Sequence, residues 1–165
     1  MLKFFIIECI ILIIVFTLAI IVPLCKNPVW WIHDYPKDIQ EKYFETHERI
    51  PAEPLSGQAL IKKSVAILIC LALMVVLVKL AGASNFAQGF LFSYGLWLVV
   101  DWYDCFFLDW VLFANIKMIR LEGTEHMDGA YHQKKYHFVQ SCIGMLIGLV
   151  PSLLCGWIIG IIVHV

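Results

Sequence analysis

The chain has 165 residues, of which 61% are hydrophobic and 15% charged, whereas soluble domains sit nearer half apolar and a quarter charged; lipid is therefore the expected solvent. A bilayer crossing takes ~20 mostly apolar residues, so four crossings with their loops fill this length and leave no room in it for a separate soluble domain. A net charge of -1 provides no clustered basic face, which excludes nucleic acid as a partner.

The opening run "MLKFFIIECIILIIVFTLAIIVPLC" has an apolar region longer than the ~7–15 residues of a signal peptide and no A-x-A-like cleavage site. Leu24 also stands where a lipoprotein box wants a small residue. This run predicts a retained membrane helix, the first span, over about 4–24. Glu8, alone within it, is expected near the outer edge and within reach of Lys79.

Residues 25–63 form a long polar loop. Trp30 and Trp31 suit a membrane interface, Asp34 offers a helix cap, and Pro36 fits the first turn of a helix that Pro51 would close. Ile39, Tyr43, Phe44, His47 and Ile50 share one face at helical spacing. Asp38 with Lys42 and Glu45 with Arg49 form i,i+4 pairs that support such a helix. It reads as an amphipathic helix lying on the inner membrane surface or covering the ends of the bundle.

The second span is expected over about 64–83 and the third over about 86–113. In the third, "LWLVVDWYDCFFLDWVLF" carries Asp101, Asp104 and Asp109 in an otherwise apolar run. On an α-helix, Asp101 and Asp104 share a face with Tyr94, Trp97, Cys105 and Leu108, while Asp109 is turned about 80° from Asp101. Carboxylates at that spacing in a low dielectric require a retained proton, a bound cation or a basic partner. The three aspartates are therefore the candidate ion- or proton-binding residues. The run Asp101-x-x-Asp104-x-x-x-x-Asp109 resembles the aspartate-rich motif of membrane prenyltransferases, in which carboxylates hold magnesium against a diphosphate. Its last spacing is one residue longer, and no second motif follows.

The second polar loop, 114–137, includes "RLEGTEHMDGAYHQKKYHFVQ" as it enters the last span. If helical, it places Glu125, Asp128 and His132 at i, i+3 and i+7, with His126 and His137 nearby, a set that suits a divalent metal. The fourth span, about 138–163, repeats Gly144, Gly148, Ser152, Gly156 and Gly160 every four residues. That stripe leaves one face almost without side chains, for close packing on a neighbouring helix or a second copy. Pro151 near its middle predicts a kink and a candidate hinge.

Of the twelve Lys and Arg residues, ten fall in the two long loops and only Lys3 and Lys79 lie elsewhere. The positive-inside bias places both loops in the cytoplasm and both termini outside. The six cysteines lie in or beside apolar runs without a CxxC and read as small core residues. No GxSxG, phosphate loop or supported Ser-His-Asp set is present, and the repeated histidine boxes of membrane di-iron hydroxylases are absent.

The expectation is an all-α integral membrane protein with four transmembrane helices in a bundle plus a cytoplasmic amphipathic helix. Its expected work is proton- or cation-linked transport or permeation through the intramembrane aspartates. The alternatives are an inner-leaflet enzyme acting on a lipid or amphiphile with a divalent metal, and a non-catalytic membrane partner or assembly subunit. Membrane lipids, a second copy of the chain or another membrane protein are the expected partners.

Overall fold

The computed structural model describes residues 2–51 and 56–164, with the side chains of 163 and 164 left aside. Helix α1 spans Leu2–Lys26, α2 Lys37–Tyr43, α3 Gly57–Leu80, α4 Phe86–Tyr103, α5 Asp128–Tyr131 and α6 Lys134–His164. Short 3₁₀ turns occupy Pro28–Asp34 and Lys117–Ile119, and a π-helical segment, Asp104–Phe113, continues directly from α4. All regular structure among the described residues is helical.

Capping explains several boundaries. Ser56 Oγ accepts the Ala59 N–H at 3.1 Å, so α3 starts at Gly57, ahead of the purely apolar run at Ser64. It ends where Gly82, at φ +95°, lets its own N–H reach Lys79 O at 3.0 Å and the Ala83 N–H reach Val78 O at 3.2 Å. That is the paired Schellman closure, which needs a left-handed residue. Asn85 Oδ1 then accepts the Gln88 N–H at 3.0 Å while Gln88 Oε1 accepts the Ser84 N–H at 2.9 Å, a reciprocal start for α4.

Three helical stretches are long and apolar enough to cross a membrane: α1, α3 and the α5–α6 stretch up to Ile162. The expected third crossing is not among them. Its 86–113 run divides into an 18-residue α4 that contains Gln88, Ser93 and Asp101 and a π segment that holds two further acids.

The chain forms two compact units. One comprises Met1–Leu12, Glu53–Asp101 and Ile143–Val165. Its core gathers Val78, Ala83, Leu96, Cys155 and Ile159, with Phe5 and Phe92 packed against them. Here α4 and α6 meet backbone to backbone: a Cβ on Gly89 would lie 2.9 Å from the Cα of Gly156, and one on Gly156 would lie 2.9 Å from the carbonyl oxygen of Phe86. Trp97 fills the space left by Gly148 and donates from Nε1 to Gly144 O at 3.0 Å. The glycine stripe is thus occupied by α4 of the same chain. Helix α6 runs unbroken through Pro151. Glu8 is buried, with Oε2 lacking a hydrogen-bond partner among the described residues. The expected pairing with Lys79 does not form, because Lys79 is exposed and absent from the ion pairs of the described residues.

The other unit comprises Ile13–Ala52 and Trp102–Cys142. Tyr35, Ile39, Tyr43, Phe113, Ile119, Leu121 and Tyr131 make its core. Tyr35 donates to Ile119 O at 2.6 Å, and Tyr131 Oη accepts the Leu121 N–H at 3.0 Å. The Tyr35 bond joins the two polar loops, and the Tyr131 bond ties the second loop to itself. The amphipathic helix is shorter than its apolar periodicity suggested: α2 ends at Tyr43, with Pro36 rather than Asp34 at its N-cap. Ile39 and Tyr43 are buried while Ile50 is exposed. The anticipated i,i+4 pairs are replaced by a Lys42–Glu45 contact at 2.6 Å and by Gln133 Nε2 donating to Asp38 Oδ2 at 2.6 Å.

Candidate functional site

Three acids in one helical run separate into two environments. Asp101, in the first unit, packs so closely on Gly144 that any side chain there would collide with its Oδ1. Its Oδ2 is buried without a hydrogen-bond partner among the described residues. Asp104 and Asp109, in the second unit, both line a pocket of about 460 Å³.

The π-helix bears on how Asp104 and Asp109 come to line one pocket. In an α-helix, residues five apart are rotated by about 140°. A π-helix closes its hydrogen bonds between residues five apart, and the run ends with the Ala114 N–H bonded to Asp109 O. The wider turn brings residues 104 and 109 closer in angle than an α-helix would, and both line the pocket. Aromatic side chains four apart line the same stretch, with Trp102 and Phe106 centroids 5.1 Å apart and Phe106 and Trp110 4.9 Å apart.

His137, in the first turn of α6, completes the centre. Its Nδ1 lies 2.9 Å from Asp109 Oδ2. The histidine is 7% exposed, and its Nε2 has no hydrogen-bond partner among the described residues. The ring stands edge-on to Phe113, 5.5 Å between centroids. With Asp109 accepting from Nδ1–H, the neutral tautomer has its lone pair on Nε2, the state suited to taking a proton or accepting a donor.

The remaining walls come from three elements. Helix α1 supplies Phe16, Ile20 and Leu24, and the first 3₁₀ turn with the residue after it supplies Trp31, His33, Asp34 and Tyr35. Helix α6 adds Tyr136 and Gln140 beside His137. Asp34 is solvent-exposed as a residue, yet partial burial of its carboxyl raises it above the ordinary range, with His33 pulling the other way. Tyr35 is held well above the ordinary phenol range by burial, reinforced by Tyr131 and Cys25.

The metal set read from the second polar loop disperses. Asp128 pairs with Arg120 at 2.5 Å, and Glu125 Oε1 accepts the Gly123 N–H at 3.2 Å. His132 Nδ1 lies 2.7 Å from Asp128 O, and His137 alone of the four reaches the pocket. The expected i, i+3, i+7 face does not form, because α5 covers only Asp128–Tyr131. Among the described residues, no three His, Cys, Asp or Glu side chains converge as ligands for one metal ion.

Compared with known proteins, the chain matches no family model, no curated protein and no solved structure.

Sequence reasoning missed Trp31, His33, Asp34, Tyr35 and Gln140 as pocket residues. Asp34 precedes Tyr-Pro, a local helix-cap signal that carries no information about α6, far along the chain. His137 was visible only as one histidine among several, and no local spacing links it to Asp109.

Proposed function

We propose that this chain is an integral membrane protein that crosses the bilayer four times and handles protons or cations at the Asp104, Asp109 and His137 pocket. Exposed apolar side chains surround α1 and α3, including Ile6, Ile10, Ile14, Leu18, Val65, Leu68 and Leu73, the surface expected of helices solvated by lipid. The α4–π run provides the remaining crossing, and the basic bias of the two polar loops sets them in the cytoplasm.

The observation that carries this reading is the Asp109–His137 pair in a pocket that Asp34 and Asp104 also line, with His137 Nε2 buried and without a partner among the described residues. Asp and His chains of this kind form proton relays in pumps and transporters. The best reading is proton- or cation-linked transport or permeation. Asp109→Asn in proteoliposomes should reduce proton or cation flux by at least tenfold, and unchanged flux would end this reading.

A second reading is supported by the way α6 brings His137 to the aspartates. An oriented imidazole beside carboxylates in a cavity of small-molecule size is also the arrangement of a general base. It makes the chain an inner-leaflet enzyme acting on an amphiphile, in which Asp109 orients His137 and Nε2 removes the proton. Turnover of an amphiphile that His137→Gln abolishes, in vesicles that carry no flux, would select this reading.

A further inference from the structure

We infer that the pocket at Asp109 and His137 binds a primary ammonium group, a nitrogen that carries both positive charge and N–H donors. This rests on the reading of the pocket as a cation site and names its ligand. Asp34, Asp104 and Asp109 line the cavity, with no Lys or Arg among its described lining residues, so three carboxyl groups against the two imidazoles of His33 and His137 favour a cation. A proton needs neither volume nor aromatic walls. The cavity, however, measures about 460 Å³ and is bounded by Trp31, Tyr35, Phe113 and Tyr136, and aromatic faces attract ammonium groups.

His137 distinguishes between kinds of ammonium. It is 7% exposed, Nδ1 is engaged with Asp109 at 2.9 Å, and Nε2 has no partner among the described residues. With the proton on Nδ1, Nε2 is an acceptor that a bound N–H satisfies. A quaternary ammonium has no N–H and leaves that buried atom unpaired, a costly outcome. The site therefore discriminates by hydrogen bonding, the mode in which a missing donor is most strongly rejected. The ammonium can belong to a small free amine or to an ethanolamine lipid headgroup, whose chains would follow the apolar side of α1 at Phe16, Ile20 and Leu24.

Calorimetric titration of the detergent-purified protein with ethylamine and with tetramethylammonium tests the selectivity. Native mass spectrometry from nanodiscs of mixed ethanolamine and choline phospholipids tests the lipid source. Tenfold tighter binding of ethylamine, or selective retention of the ethanolamine lipid, supports the inference and identifies the source. Asp109→Asn should weaken the retained ligand at least tenfold. Asp34→Asn, at an exposed position, should weaken it several-fold without disturbing the fold. Equal binding of tetramethylammonium, or no retention of either amine, overturns the inference. If flux then still depends on Asp109, the cation reading stands without an ammonium ligand. If flux is also indifferent to Asp109, both fail.

Discussion

Asp109 Oδ2 and His137 Nδ1 lie 2.9 Å apart, with the histidine side chain 8% and the aspartate side chain 24% exposed. Separate elements deliver them: the π segment presents Asp109, and the first turn of α6 presents His137. The pair therefore contributes to the fold as well as to the pocket. Asp109→Ala should destabilise the detergent-solubilised protein by about 1–3 kcal/mol, the range for losing a charge-assisted hydrogen bond at a partly exposed site. Thermal unfolding followed by circular dichroism checks this, with Asp109→Asn, which retains an acceptor oxygen, expected to lose less.

Tyr35 joins the two polar loops through its bond to Ile119 O at 2.6 Å, and it packs edge-on against Phe113 with centroids 5.0 Å apart. Tyr35→Phe keeps the ring and leaves the buried carbonyl without that donor. The expected loss is about 1–3 kcal/mol, measured by denaturant unfolding, while Tyr35→Ala should cost more because the ring contacts are also removed.

The same phenol predicts a pH dependence. Burial raises its ionisation above the ordinary 10.0, so the folded chain retains a proton that the unfolded chain releases. Stability falls as pH rises above about 10, because the folded state binds more protons there. Absorbance of phenolate should therefore lag behind that of exposed tyrosines and appear together with unfolding. Tyr35→Phe should flatten the alkaline decline, and an unchanged decline would contradict this assignment.

Glycines of the α6 stripe should respond unequally. A Cβ on Gly156 would meet the Phe86 carbonyl at 2.9 Å, whereas one on Gly160 would find Phe86 Cβ at 3.6 Å, an ordinary contact. Gly156→Ala should cost about 1–3 kcal/mol through overpacking against backbone, and Gly160→Ala should be nearly neutral. Melting temperatures of the two variants, measured in the same detergent, provide the comparison.

Much of the helical framework was legible because the apolar runs at 4–24, 64–83 and 138–163 carry their own signal, as does the four-residue rhythm from Gly144 to Gly160. The pocket was not legible, for two physical reasons. Residues 104 and 109 come closer in angle only if the hydrogen bonding changes from four to five residues, and periodicity at 100° per residue assigned Asp104 to Asp101 instead. The contact with His137 depends on how α6 begins. Lys134 and Lys135 extend that helix back before its apolar run, which places His137 inside the first turn rather than in a loop. Arg120 carries no comparable sequence signal: it donates to Glu125 O at 2.6 Å and pairs with Asp128, so the loop acids expected around a metal instead fold their own segment.

Asp101 and Asp109 lie in one helical run but have different surroundings, and only Asp109 lines the pocket with His137. The most direct test compares proton and cation flux through proteoliposomes of Asp101→Asn and Asp109→Asn at matched protein incorporation. The pocket account predicts at least a tenfold loss for Asp109→Asn and flux within twofold of the wild type for Asp101→Asn. The reverse order would contradict it and return the functional role to Asp101.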